Sequence, residues 1–148
     1  LTSGMKSFQN HLDEEKIVAA IGAVESNATA EVRVHIEKKC PEDVMDRAVK
    51  VFANLHMHQT RYRNGVLLYI AYEDHKFAII GDAGINARVG KDFWQHQKQL
   101  LSEHFQKADY TQGICKCISM LGAELMKYFP YESGDTNELP DDISYGDR

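Results

Sequence analysis

At 148 residues, 43% hydrophobic and 26% charged, the chain has the size of one domain and can bury a core without disulfides or structural metal; collagen-like, low-complexity and wholly disordered classes are excluded. The net charge of −5 sits entirely in residues 131–148, where Glu132, Asp135, Glu138, Asp141, Asp142 and Asp147 face Arg148 alone, while residues 1–130 carry acids and bases in equal number. No basic field exists to attract a phosphate backbone, so no nucleic-acid partner is expected.

The first predicted element is a helix from Asp13 to Ser26, with Asp13 as N-cap, Glu14 and Glu15 in the first turn, and Ile17, Ile21, Val24 and Ala28 at helical spacing. Glu31 to Glu37 then alternates Val32, Val34 and Ile36 against Arg33, His35 and Glu37, the period of a half-buried strand. On that reading His35 belongs to the exposed face. Pro41, Glu42 and Asp43 open a second helix, whose stripe of Val44, Ala48, Val51, Phe52 and Leu55 predicts an end near His58. Val66 to Tyr72 is nearly all apolar and β-prone, as in a strand buried on both faces. After the turn Glu73-Asp74-His75, Lys76 to Ile80 completes an antiparallel hairpin. The first two strands are instead separated by a helix-length crossover, which implies parallel pairing. A helix from about Val89 to Lys107 and another from Thr111 to Phe129 follow, the latter striped with Ile114, Ile118, Leu121 and Leu125 and closed by Pro130. Residues 8–130 are thus expected to form one α/β domain and residues 131–148 an acidic tail.

Cys40, Cys115 and Cys117 form no Cys-x-x-Cys pair, which removes zinc-ribbon and thioredoxin chemistry and fits a reducing compartment. Leu1 to Gln9 has no basic region followed by an apolar run, and the longest apolar stretch, Gly65 to Tyr72, is far too short to span a bilayer. A cytoplasmic protein without a membrane span is expected.

The phosphate-binding and covalent motifs are near misses or missing. Gly84 and Gly90-Lys91 resemble a phosphate-cradling loop, but five residues separate the glycines instead of four, and Asp92 stands where a Ser or Thr would hold magnesium. His56 and His58 point about 200° apart on a helix and cannot share an ion. His96 and His104 are too far apart to do so. No nucleophile elbow is present, and Cys115 and Cys117 read as small core or boundary residues.

Topology is more informative. With strands one and two parallel and strand three antiparallel, Thr29-Ala30-Glu31, Arg63-Asn64-Gly65 and Gly81-Asp82-Ala83-Gly84 come to one edge of the sheet. That edge offers the Glu31 and Asp82 carboxylates, the Asn64 amide and the Thr29 hydroxyl, with Glu25 and Asp92 on helices nearby. Hard oxygen donors of this kind suit calcium or magnesium; the same Asn, Asp and Gly residues equally serve turn geometry.

The pattern Glu25-x-x-x-Thr29-x-Glu31-Val-Arg-Val, then Arg63-Asn64-Gly65-Val-Leu-Leu-Tyr-Ile, then Ile80-Gly81-Asp82-x-Gly84-Ile resembles the TPM domain family. The likeness continues through Phe93-Trp94, Tyr110-x-x-Gly113, Gly122 and Tyr128-Phe129-Pro130 to Asn137-Glu138-Leu139-Pro140. The resemblance implies a compact three-layer α/β/α sandwich around a small mixed sheet, and divalent-cation binding of the kind ascribed to bacterial relatives. Plant thylakoid-lumen relatives, linked to photosystem II repair, add acid phosphatase activity as an alternative. Two functions are therefore expected to compete. One is an interaction module that binds Ca2+ or Mg2+ through Asp82, Glu31, Asn64, Asp92 and Glu25, supported by Thr29, Arg63 and Gly84, and engages an unidentified protein partner. The other is a weak metal-dependent phosphatase with Asp82 as ligand and Arg63 as phosphate clamp.

Overall fold

A computed structural model describes residues 12–132 and 143–146. The predicted start of the domain at residue 8 and most of the acidic segment, including Asp135, Asn137 to Asp142 and Asp147, lie outside the described residues.

Helix α1 (Glu14–Asn27) starts at the expected cap, the Asp13 carboxylate accepting the Lys16 N–H at 3.2 Å, and buries Ile17, Ile21 and Val24. Strand β1 (Glu31–Glu37) follows as predicted. Helix α2 (Val44–Asn54) is capped by Asp43 but stops earlier than its apolar pattern suggests. The reason is Met57, which is fully buried with Ala48, Val51, Phe52, Leu67 and Tyr69. Bringing Met57 into that cluster takes the chain off the helix axis, through His56 in the left-handed region at φ 58°.

Every residue of β2 (Gly65–Ala71) is buried, as its apolar run implies. It forms the expected hairpin with β3 (Lys76–Gly81). A short helix that the periodicity did not announce, α3 (Ala83–Asn86), comes next, with the Asp82 carboxylate as its cap. Helices α4 (Lys91–Gln106) and α5 (Tyr110–Tyr128) complete the helical part. Within residues 143–146, Ile143 is buried and β4 (Ser144–Tyr145) pairs parallel with β1, His35 opposite Ser144 and Ile36 opposite Tyr145.

The sheet order is β3-β2-β1-β4, with β1 and β2 parallel and β2 and β3 antiparallel. One face carries Val32, Val34, Ile36, Val66, Leu68, Ile70 and Ile79 into a core shared with α1, α4 and α5. The other face carries Leu67, Tyr69, Ala71 and Ala78 against α2. The architecture is thus a three-layer α/β/α sandwich on a mixed sheet. Among the described residues, no helix is long and apolar enough to cross a membrane.

Burial on both faces of β2 sets a clear stability contrast. Leu68→Ala, in the fully buried centre of β2, is expected to cost about 2–5 kcal/mol in urea denaturation. Val49→Ala, on the exposed side of α2, is expected to stay within about 0.5 kcal/mol.

Candidate functional site

The two ends of the parallel strands carry different chemistry. At the amino-terminal end, Glu31 lies opposite Gly65 and Val66 opposite Gly81, so the three sequence-predicted segments do converge. Backbone bonds stitch them together: Glu31 N–H donates to Asn64 O at 3.2 Å, Asp82 N–H to Gly65 O at 2.9 Å, and Gly84 N–H to Arg63 O at 2.8 Å. Gly84 is obligatory at that last contact. A Cβ there would lie 2.1 Å from the Tyr62 carbonyl oxygen and 2.7 Å from that of Arg63, closer than real atoms approach.

Asp82 is the centre of this edge. Its carboxylate, 6% exposed, takes a bidentate fork from Arg63, with Nε at 2.7 Å and Nη2 at 2.8 Å, and a third bond from the Ala83 N–H at 2.8 Å. Burial alone would raise its pKa, but the Arg63 bonds, the Ala83 N–H and nearby positive charge outweigh it and hold the carboxyl below its ordinary value. Arg63 adopts φ 52°, a left-handed conformation that costs a non-glycine residue about 1–2 kcal/mol. That conformation accompanies both its carbonyl contact with Gly84 and its side-chain fork onto Asp82.

Around this pair the other predicted residues separate. The buried Asn64 donates its side-chain N–H to Thr29 O, and its backbone N–H donates to Thr60 Oγ1 at 3.2 Å. The Asn64 Oδ1 atom is also buried, yet it accepts no hydrogen bond among the described residues. Glu25 reaches from α1 to accept the Val32 N–H at 3.0 Å, and the Thr29 hydroxyl donates to Pro130 O at 3.0 Å. Asp92 sits exposed in the first turn of α4, and among the described residues no bond joins it to the others. Among the described residues, no three His, Cys, Asp or Glu side chains converge in the manner of a metal centre.

The opposite end, at the carboxyl ends of β1 and β2, holds a cluster that strand periodicity misreads. His35, expected on the exposed face, is buried, and Glu37 is fully buried. The face they share is covered by α2 and flanked by β4. Each Glu37 oxygen accepts two bonds: Oε2 from Arg47 Nε at 3.0 Å and from the Tyr69 hydroxyl at 2.6 Å, Oε1 from Arg47 Nη2 and from His35 Nε2 at 3.3 Å. With the carboxylate acting only as acceptor, His35 carries its proton on Nε2, and its Nδ1 accepts from the Ser144 hydroxyl at 2.9 Å. The His35 and Tyr69 rings stack with centroids 6.0 Å apart. A cavity of about 360 Å³ opens beside the group, between Arg47, Asn54, Leu55 and Gly146.

Charge in this cluster is compensated. Burial alone would raise the Glu37 pKa, but hydrogen bonds from Arg47, Tyr69 and His35 bring it below the ordinary value. Burial pushes the Tyr69 hydroxyl up, and the neighbouring carboxylate adds to the shift. His35 is lowered, because the loss of water outweighs the attraction of Glu37. A carboxylate with both oxygens fully engaged has no lone pair left for general-base work, so the cluster reads as a lock and not as a reaction centre.

Comparison with known proteins assigns this architecture. The TPM domain family model matches residues 8–124. The chain belongs to the TPM domain family. Its fold is shared with the BA42 protein of the psychrophilic bacterium Bizionia argentinensis, solved by NMR, at 45% identity and a TM-score of 0.85 over 90% of this chain and 92% of that one. The N-terminal domain of the cg2496 protein from Corynebacterium glutamicum, at 12% identity and a TM-score of 0.62 over 85% and 80% of the two chains, shares the fold alone. Comparison with curated protein sequences finds no match.

In this TPM domain two sequence signals could have exposed the Glu37 cluster. Arg47 falls on the same stripe of α2 as Val44, Val51 and Leu55, and Tyr69 interrupts an otherwise aliphatic buried strand. A charge and a hydroxyl on apolar stripes need a buried partner, and Glu37 is that partner.

The shifts also fix a pH dependence. Both His35 and Glu37 have lower pKa values folded than unfolded, so the unfolded chain binds more protons and stability falls on acidification. The His35 contribution begins to be lost as pH falls below its ordinary 6.5, and that of Glu37 below its ordinary 4.5, as pH descends through the depressed folded value. Urea titrations at stepped pH are expected to show the upper limb vanish in His35→Asn. Arg47→Met, which strands the carboxylate, is expected to cost about 3–5 kcal/mol at neutral pH.

Proposed function

We propose that this TPM domain is a divalent-cation-binding interaction module, with calcium or magnesium taken up at the amino-terminal sheet edge by Asp82, Asn64 and Glu31. The observation that carries the reading is the Asn64 side-chain oxygen, buried and accepting no hydrogen bond among the described residues. An unmet buried acceptor costs about 1–3 kcal/mol, and a hard cation satisfies an amide oxygen well. The residues fit such an ion in donor chemistry: two carboxylates and an amide oxygen come from three segments that backbone bonds already hold together.

Arg63 is the competing cation. Its side chain is about half exposed although the carboxylate it grips is buried, so the guanidinium can leave for water when a metal replaces it on Asp82. Glu25 and Thr29 support the site from outside, through Val32 N–H and Pro130 O. The ion would supply charge neutralisation and tie the three loops, presenting a rigid edge to a partner protein. The alternative of a metal-dependent phosphatase requires Arg63 free to clamp a phosphoryl group.

Calcium or magnesium titration followed by amide NMR is expected to move Thr29–Glu31, Asn64–Gly65 and Gly81–Gly84 together, and Asp82→Asn to weaken binding at least about tenfold. Arg63→Gln is expected to tighten binding by about tenfold, because the ion no longer has to break charge-assisted bonds. Shifts confined to the acidic residues beyond Tyr131, or weaker binding in Arg63→Gln, would overturn the reading.

A further inference from the structure

We infer that the cavity between the β2–β3 hairpin and the corner of α4 and α5 binds a small aromatic carboxylate. The basis is independent of the cation site, which lies at the other end of β2. Here the hairpin contributes Ile70, Ala71, Tyr72 and Phe77, and the two helices contribute Phe105 and Tyr110, around a space of about 250 Å³. The rings of Tyr72, Phe77, Phe105 and Tyr110 are half-buried and pack on the core. Phe105 meets Phe77 edge-on with centroids 5.6 Å apart and Tyr110 at 5.4 Å, with interplanar angles of 77° and 65°. Rings crossed in this way leave faces and edges that a further ring can complete. A dry apolar cavity of about 150 Å³ takes benzene, so the space suits one aromatic nucleus with a short polar substituent.

The polar lining defines that substituent. His75 and Lys76 come from the hairpin, Ser102 and Gln106 from α4. None of these four side chains makes a hydrogen bond or ion pair among the described residues. Ser102 stands inside α4, where a serine hydroxyl commonly turns back onto its own helix, and here it does not. His75 adopts φ 53°, a left-handed conformation that glycine would hold without strain. The turn therefore carries an imidazole beside the cavity at a conformational cost.

Charge selects an anion. The acids nearest in sequence are engaged elsewhere: Glu73 with Lys38 at 3.4 Å, Asp74 with the Cys40 N–H at 2.7 Å, Glu103 with the Gln99 amide at 3.4 Å and Asp109 with His104 at 3.0 Å. No carboxylate lines the cavity, which leaves the Lys76 ammonium uncompensated there. One ammonium with a hydroxyl and an amide beside it matches a monoanion. A phosphate dianion is ordinarily gripped by an arginine fork, and no arginine lines the cavity. The ligand's ring is thus assigned to the aromatic walls and its carboxylate to Lys76, with Ser102 and Gln106 as neutral donors.

The test uses the full chain and naphthoate, followed by amide NMR at low ionic strength. Saturable shifts are expected at Ala71–Phe77 and Ser102–Tyr110. Naphthylmethanol, which keeps the ring without the charge, and octanoate, which keeps the charge without the ring, are each expected to bind at least about threefold more weakly. Lys76→Gln, at an exposed position, is expected to weaken naphthoate about threefold to fivefold and to leave naphthylmethanol unchanged. Ser102→Leu, which fills the cavity, is expected to abolish binding of both with amide dispersion intact; if that variant does not fold, the Lys76→Gln comparison decides alone. No saturable binding up to about 1 mM, shifts centred away from the hairpin and the α4–α5 corner, or naphthoate affinity unmoved by Lys76→Gln would overturn the proposal. So would octanoate binding as tightly as naphthoate, because the cavity would then select apolar bulk and not an aromatic ring.

Discussion

Glu37 imposes the constraint around which the sheet is organised. A carboxylate wholly removed from water is tolerable only when its charge is balanced and its lone pairs are filled, and no single element can provide that. Arg47 comes from α2, Tyr69 from β2 and His35 from β1 itself. The bonds therefore tie the covering helix and the central strand to one point at the carboxyl end of β1. The C-terminal strand is tied in as well. Ser144 donates to the same histidine, and Gly146 N–H reaches Ile36 O at 2.8 Å. Gly146 is close enough to Glu37 that a Cβ would lie 2.5 Å from its Cγ, so β4 docks only because that position carries no side chain.

The other end of the strands solves a related problem in a different way. Asp82 is also buried and charged, but its partner Arg63 stays about half in solvent. A pair with one member in water exchanges partners far more readily than one sealed on all sides. On the proposed reading the domain has one permanent ionic lock and one replaceable ionic contact, at opposite ends of the same parallel strands. The replaceable contact is where the proposed cation enters. The loops it joins, including the strained Arg63 backbone, are the part of the molecule whose conformation the ion would govern.

The sheet edges complete this division of labour. On the β1 side, β4 closes the edge with the chain's own terminus. On the β3 side, α2 and α4 flank the hairpin and leave a cavity beside Phe77 and Ala78. In the proposed module the buried lock would supply the stable frame and the Arg63–Asp82 contact the region that responds to a ligand.

Local residue chemistry by itself determined a good deal of this. The Asp13 and Asp43 caps, the strict alternation of β1, the apolar run of β2 and the short turn before Lys76 predict helices, strands, pairing directions and the convergence of Glu31, Asn64 and Asp82, because each rests on interactions within a few residues or on chain connectivity. The order of motifs around Asn64-Gly65 and Gly81-Asp82 placed the chain in its family. Tertiary structure alone decided the rest. Alternation shows that Arg33, His35 and Glu37 share a face of β1 but not that α2 and a strand more than a hundred residues away cover it. The Asp82 carboxylate that caps α3 is also gripped by Arg63, nineteen residues earlier. β4 is two residues long with no periodicity to read, and its existence depends on β1 offering an open edge and on Glu37 offering room for Gly146. Burial, edge pairing and ionic partnership are properties of surfaces brought together by folding, which no local window of sequence contains.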